Sequence, residues 1–139
     1  MATIAIIQNF FPALNETDPV RLSGLSRQVY DRFIEVLEEE SGHHLQRAPS
    51  LEGYLAAEWP MPTLAICAPL PEIGNLAPGL AELQRIREAL RGVPLVVWST
   101  RDEQSVRETV LKDYGVARYY TGTVLQAPDD IADMVLEYL

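Results

Sequence analysis

The chain has 139 residues, a length that suits one domain able to bury roughly 70% of its unfolded surface without a disulfide or metal to hold it. With 11 basic against 20 acidic residues its net charge is -9 and no basic stripe offsets it, which excludes a phosphate backbone as partner and predicts no nucleic-acid binding. A single cysteine excludes an internal disulfide and a Cys-rich zinc site, no apolar run approaches the ~20 residues of a membrane span, and the first residues lack the basic region of a secretory signal, so the expectation is a cytoplasmic protein.

Thr3 to Asn9 is a β-branched, apolar run that ends in two amides, Gln8 and Asn9; it reads as a first buried strand. The adjacent aromatics Phe10 and Phe11 follow in a loop. Asp18-Pro19 has the form of an N-cap with proline in the first helical position. Leu22, Leu25, Val29, Phe33, Val36 and Leu37 then recur at spacings of three and four, one face of a long helix. Gly42 suits its left-handed terminus. Glu38, Glu39 and Glu40 crowd its negative end, against the helix dipole.

His43 to Ala48 is polar enough for an edge strand. Its two histidines, on opposite faces of a strand, are poorly placed to share one metal ion. Ser50 caps a short helix predicted to turn Leu51, Tyr54, Leu55 and Trp59 inward, before Pro60-Met61-Pro62 ends it. Thr63 to Ala68 is the next buried strand. A helix near Pro78 carries Leu80, Leu83, Ile86 and Leu90 on one face and closes at Gly92.

Val93 to Thr100 is a turn, four apolar residues and a hydroxyl pair, the strand about which the others assemble. Thr100 and Glu103 have capping-box spacing ahead of a helix with Val106, Val110, Leu111 and Tyr114 inward. Ala117 to Thr121 is a last short strand, and Pro128-Asp129-Asp130 opens a final helix with Ile131, Met134, Val135 and Tyr138 on its apolar face. Strict alternation of strands and helices predicts an α/β fold, a three-layer sandwich around a five-stranded parallel sheet. The continuous apolar first and fourth strands and a polar second strand suit the order 2-1-3-4-5, a flavodoxin-like arrangement. Any ligand site would then lie near Asn9, Ala68 and Ser99, at the strands' C-terminal ends.

This layout resembles the receiver domain of bacterial response regulators, best from Pro62 onward. Pro62 to Ala68 resembles the family's third strand, with Pro71 and Gly74 in its following loop. Pro94 to Thr100 resembles the fourth strand, with Ser99 at the hydroxyl position. Gly115 to Gly122 resembles the segment leading to the family's lysine, with Tyr119 at the switch aromatic. The resemblance implies an acidic pair for Mg²⁺, an aspartate acceptor, a hydroxyl and a lysine. Here the acidic pair is replaced by Gln8 and Asn9. The acceptor position falls on Ala68 counting from Pro62, or on Cys67 counting back from Pro71. Gly122 stands at the lysine position, and only Ser99 matches.

Mg²⁺ needs hard anionic oxygens, and an acylphosphate needs a carboxylate acceptor. The resemblance therefore implies a pseudo-receiver that is not phosphorylated and is not an enzyme: a protein-interaction module in bacterial signalling, with no metal and no cofactor. The face such domains use for partners and dimers would carry Tyr114, Tyr119, Tyr120, Met134 and Tyr138, and a homodimer is compatible with it. The alternative is a small-ligand binder, or a carboxylate-dependent enzyme of nucleoside hydrolase or transferase type using Glu16, Glu72 or Asp102 on the same scaffold. Nothing after the first strand supplies the glycines of a phosphate loop.

Overall fold

The computed structural model describes residues 2–8, 32, 35–70, 74–99, 101, 103–120, 133, 136, 137 and 139. Strands β1 (Thr3–Gln8), β2 (His44–Ala48), β3 (Leu64–Ala68), β4 (Leu95–Trp98) and β5 (Arg118–Tyr120) form one sheet in the order β2-β1-β3-β4-β5. Every neighbouring pair is parallel. Helices join the strands: α1 (Glu35–Glu40, with wide π-type turns), α2 (Leu51–Ala56), α3 (Ala77–Ala89) and α4 (Gln104–Asp113). This is the expected flavodoxin-like fold. The expected first helix before residue 32, and nearly all of the last one, lie outside the described residues.

The three inner strands are apolar along their length because both of their faces are covered. Ile4, Ala5, Ile6 and Ile7 of β1 are all buried, as are every residue of β3 and of β4. On one face, Ala5, Ile7, Ala65, Cys67, Leu95 and Val97 meet Leu51 and Tyr54 of α2, Leu83 and Ile86 of α3, and Val106 and Val110 of α4. Leu111 is exposed, so the buried stripe of α4 is narrower than its sequence spacing implies.

β2 is an outer strand with His44 and Arg47 exposed, but it is not polar throughout its surroundings. Gln46 is fully buried. Its Oε1 accepts the Tyr54 hydroxyl at 2.6 Å and its Nε2 donates to the Pro60 carbonyl at 2.9 Å. Both ends of a buried amide are thus paired, as burial demands. Tyr54 reaches it because the Ser50 hydroxyl caps α2, accepting the Gly53 N–H at 3.1 Å.

The inward face of α2 differs from expectation. Leu51 and Tyr54 are buried, whereas Leu55 and Trp59 are exposed. The helix stops at Ala56, so Trp59 is beyond it, and Leu55 points about 100° around the helix from Tyr54.

Two turns use left-handed glycine as expected, Gly42 after α1 and Gly92 after α3, with φ of 73° and 79°. Arg32 partly compensates a carboxylate at each end of α1: its guanidinium lies 3.1 Å from Glu35 and 2.8 Å from Glu40. At the end of α3 the Arg87 guanidinium donates to the carbonyls of Leu90, of Val93 at 2.6 Å and of Gly115 at 3.4 Å. A cation there complements the helix dipole and ties the ends of α3 and α4 to the entry of β4.

Candidate functional site at the C-terminal end of the sheet

Parallel pairing brings the C-terminal ends of β1, β3, β4 and β5 to one edge. Gln8 pairs with Ala68 and Cys67 with Val97, while Trp98 pairs with Tyr120. Gln8, Cys67, Ala68 and Ser99 therefore converge as expected. Asn9 and Gly122 lie outside the described residues.

What these positions offer chemically is limited. Ala68 is a buried methyl group. Cys67 is fully buried, and burial pushes its thiol up to about 12 from an ordinary 9.0, the Arg87 charge offsetting this only in part. A protonated thiol is neither nucleophile nor metal ligand. Ser99 is also buried; its hydroxyl accepts the Arg101 N–H at 3.1 Å and its own N–H donates to the Tyr120 carbonyl at 2.9 Å. None of these groups provides a carboxylate oxygen. They do not fit Mg²⁺, which selects hard anionic ligands. Among the described residues no three His, Cys, Asp or Glu side chains gather where an ion could sit.

Arg101, expected only as part of a capping box, braces the space above Ser99. Its Nη1 donates to the Gly74 carbonyl at 2.8 Å, and Nε and Nη2 each reach the Glu103 carboxylate at 3.2 Å. The guanidinium holds the Glu103 carboxyl below its usual range. Glu103 is the N-cap residue of α4, without a side-chain cap bond. The helix therefore begins after the predicted box, its glutamate being drawn to Arg101.

Tyr119 completes this corner. Its hydroxyl donates to the Arg101 carbonyl at 2.5 Å, and the Arg107 guanidinium lies 5.8 Å from its ring centroid. Burial raises its pKa, with the Ser99 hydroxyl opposing the shift. Tyr120 points to the opposite face, edge-on to Trp98 with centroids 6.0 Å apart. Tyr114 packs partly buried against the core. Of the five aromatic and Met positions assigned to a partner face, Met134 and Tyr138 lie outside the described residues.

A crevice of about 260 Å³ opens beside this edge, between β1 and β3 and the helices α2 and α3. Ile7, Ala68, Pro49, Pro69 and Ile86 give it apolar walls, and Ser50, Glu52 and Glu82 a polar rim. Arg85 bridges the two carboxylates, bonding Glu52 and lying 2.8 Å from Glu82. Its position, where the strand order reverses, is where open α/β sheets bind ligands. No sequence motif announces it, because its lining comes from four separate stretches of the chain.

No protein-family model matches the chain, and no curated protein matches it by sequence. Solved structures do match it in shape. The chemotaxis protein CheY4 of Vibrio cholerae superimposes with a TM-score of 0.65 at 11% identity, over 100% of this chain and 99% of that one. A signal receiver domain of Clostridium thermocellum gives 0.64 at 15% identity, over 99% and 97%. The response regulator TrrA of Thermotoga maritima, solved in complex with Mg²⁺–BeF, gives 0.61 at 13% identity over 100% of both chains. The fold is that of CheY-like receiver domains; identities this low carry the fold and not the chemistry.

Proposed function

We propose that this chain is a receiver-like domain that takes no phosphoryl group and works as a protein-interaction module in bacterial signalling, in the cytoplasm. One observation carries the reading. At the end of β3, where the family's acceptor is expected, stand the methyl group of Ala68 and the buried, protonated thiol of Cys67. Neither forms an acylphosphate. The Ser99 and Tyr119 hydroxyls are bound to the backbone of Arg101, an arrangement that supports a fixed rather than a switched domain. Constitutive binding to a partner protein follows.

The test is to add acetyl phosphate or beryllofluoride with Mg²⁺ while following Trp98, whose ring contacts Tyr120, in a Trp59→Phe background. Unchanged fluorescence and unchanged mass are expected. A saturable response that requires Mg²⁺ sinks the reading.

The crevice of about 260 Å³ supports a second reading, a small-ligand binder, since it approaches the lower end of ligand-pocket volumes. Native mass spectrometry separates the two: a small molecule that copurifies in stoichiometric amount, and is lost in an Ala68→Leu variant, favours the second. The carboxylate-enzyme version would use Glu16, Glu72 or Asp102, all outside the described residues.

A further inference from the structure

Three of the large apolar side chains exposed among the described residues fall within seven consecutive positions: Leu55 at 51%, Trp59 at 36% and Met61 at 60% exposure. Every residue from 55 to 61 is exposed, and the run reads Leu, Ala, Ala, Glu, Trp, Pro, Met. It leaves the C-terminal end of α2 and turns toward β3.

The run is held on a fixed frame. The Trp59 ring packs 5.4 Å from Tyr54, tilted by 52°, and the Pro60 carbonyl is bound by the buried Gln46. The Ala57 and Glu58 N–H groups donate to the carbonyls of Tyr54 and Leu55 at 3.3 and 3.1 Å. Glu58 adopts a left-handed φ of 54°, a conformation that costs a residue with a side chain about 1–2 kcal/mol and that glycine usually fills at a helix end. A carboxylate stands there instead, the single charge of the run. Strain of this kind gathers at functional positions.

We propose that Leu55–Met61 is a docking surface for a short segment of a partner protein that carries apolar side chains flanked by basic ones. This deepens the interaction-module reading and rests on it, naming the surface and the partner's chemistry. Tryptophan is among the residues enriched at the anchors of binding energy, and methionine adapts its shape to a partner. Glu58, the one charge of the run, and the net charge of -9 attract a basic segment and repel an acidic one.

The same charges argue against the other occupants. A second copy seated about a two-fold axis would set the run, with Glu58, against itself. Three side chains also fall short of the ~800 Å² per partner of a stable interface. An anionic lipid surface is repelled.

The experiment uses the full chain and two synthetic peptides of one helical pattern, Leu/Lys and Leu/Glu, with amide NMR shifts and Trp59 fluorescence as readouts. Saturable binding of the Leu/Lys peptide is expected, with shifts centred on residues 55–61, weakened by salt. Leu55→Ser and Met61→Ser should each weaken it about tenfold, the loss of an anchor; both sites are exposed, so the fold survives. Glu58→Lys should reverse the preference between the peptides. Equal binding of both peptides, shifts spread over the acidic surface, or indifference to the two serine variants overturns the proposal. So does self-association, or binding to anionic vesicles, that these variants abolish. None of these results bears on the acetyl phosphate test, so the two readings fail separately.

Discussion

Tyr54→Phe removes one oxygen from the core and leaves the ring. The lost hydroxyl is the donor to Gln46 Oε1 at 2.6 Å, and Gln46 is fully buried. An ordinary hydrogen bond is worth about 1 kcal/mol, but a buried acceptor left without its donor costs about 1–3 kcal/mol. For a domain of this length that is a Tm lower by about 4–10 °C, or a urea midpoint lower by about 1 M. Replacing both partners, Tyr54→Phe with Gln46→Met, should recover most of the loss. The apolar pair then has nothing unsatisfied between its side chains, and the carbonyl that Gln46 had bonded belongs to the exposed residue Pro60, within reach of water. Urea titration followed by circular dichroism, with calorimetry as a second probe, measures all three variants. A single variant within about 0.3 kcal/mol of the parent, or a double variant less stable than both singles, refutes this account of the pair.

Other outcomes follow from the same contacts. Cys67 is pushed up to about 12 in the fold, while an unfolded thiol ionises near its ordinary value. Its contribution is therefore complete below about pH 9 and lost as pH rises toward 12, at up to about 1.4 kcal/mol per pH unit; Cys67→Ala should flatten that slope in urea titrations between pH 8 and 10. Glu58→Gly should stabilise by about 0.5 kcal/mol, the relief of left-handed strain less the entropy of glycine, read as a raised urea midpoint; a lowered midpoint contradicts it. Tyr119→Phe removes the bond to the Arg101 carbonyl and should cost about 1 kcal/mol without disturbing far-ultraviolet circular dichroism.

The inner strands were legible because burial on both faces writes itself as an unbroken apolar run, as in Ile4–Ile7 and Leu95–Trp98. The Ser50 cap was legible for a local reason too, its bond spanning three residues. Spacing misleads where an element ends. It groups Leu55 and Trp59 with Tyr54, yet the helix has ended before Trp59. Of the Thr100–Glu103 box, Thr100 lies outside the described residues, and Glu103 stands at the N-cap with its carboxylate bound by Arg101. The pairing of Gln46 with Tyr54 was invisible because a polar residue in an outer strand reads as solvent-facing. Its partner comes from the next element. At the sheet's C-terminal end, the residues that converge were legible from strand endings; the Arg101 brace was not, since it joins Gly74 to Glu103 across the fold.

The placement of Cys67 gives the protein a record of its own history. The thiol is fully buried and is the one cysteine of the chain, so oxidants and second thiols reach it only when the central sheet opens. A disulfide-linked dimer in an aged preparation would count molecules that had opened, and not an assembly state. The rate at which such dimers accumulate, or at which a thiol reagent consumes Cys67, clocks the opening of the sheet directly in the unmodified chain.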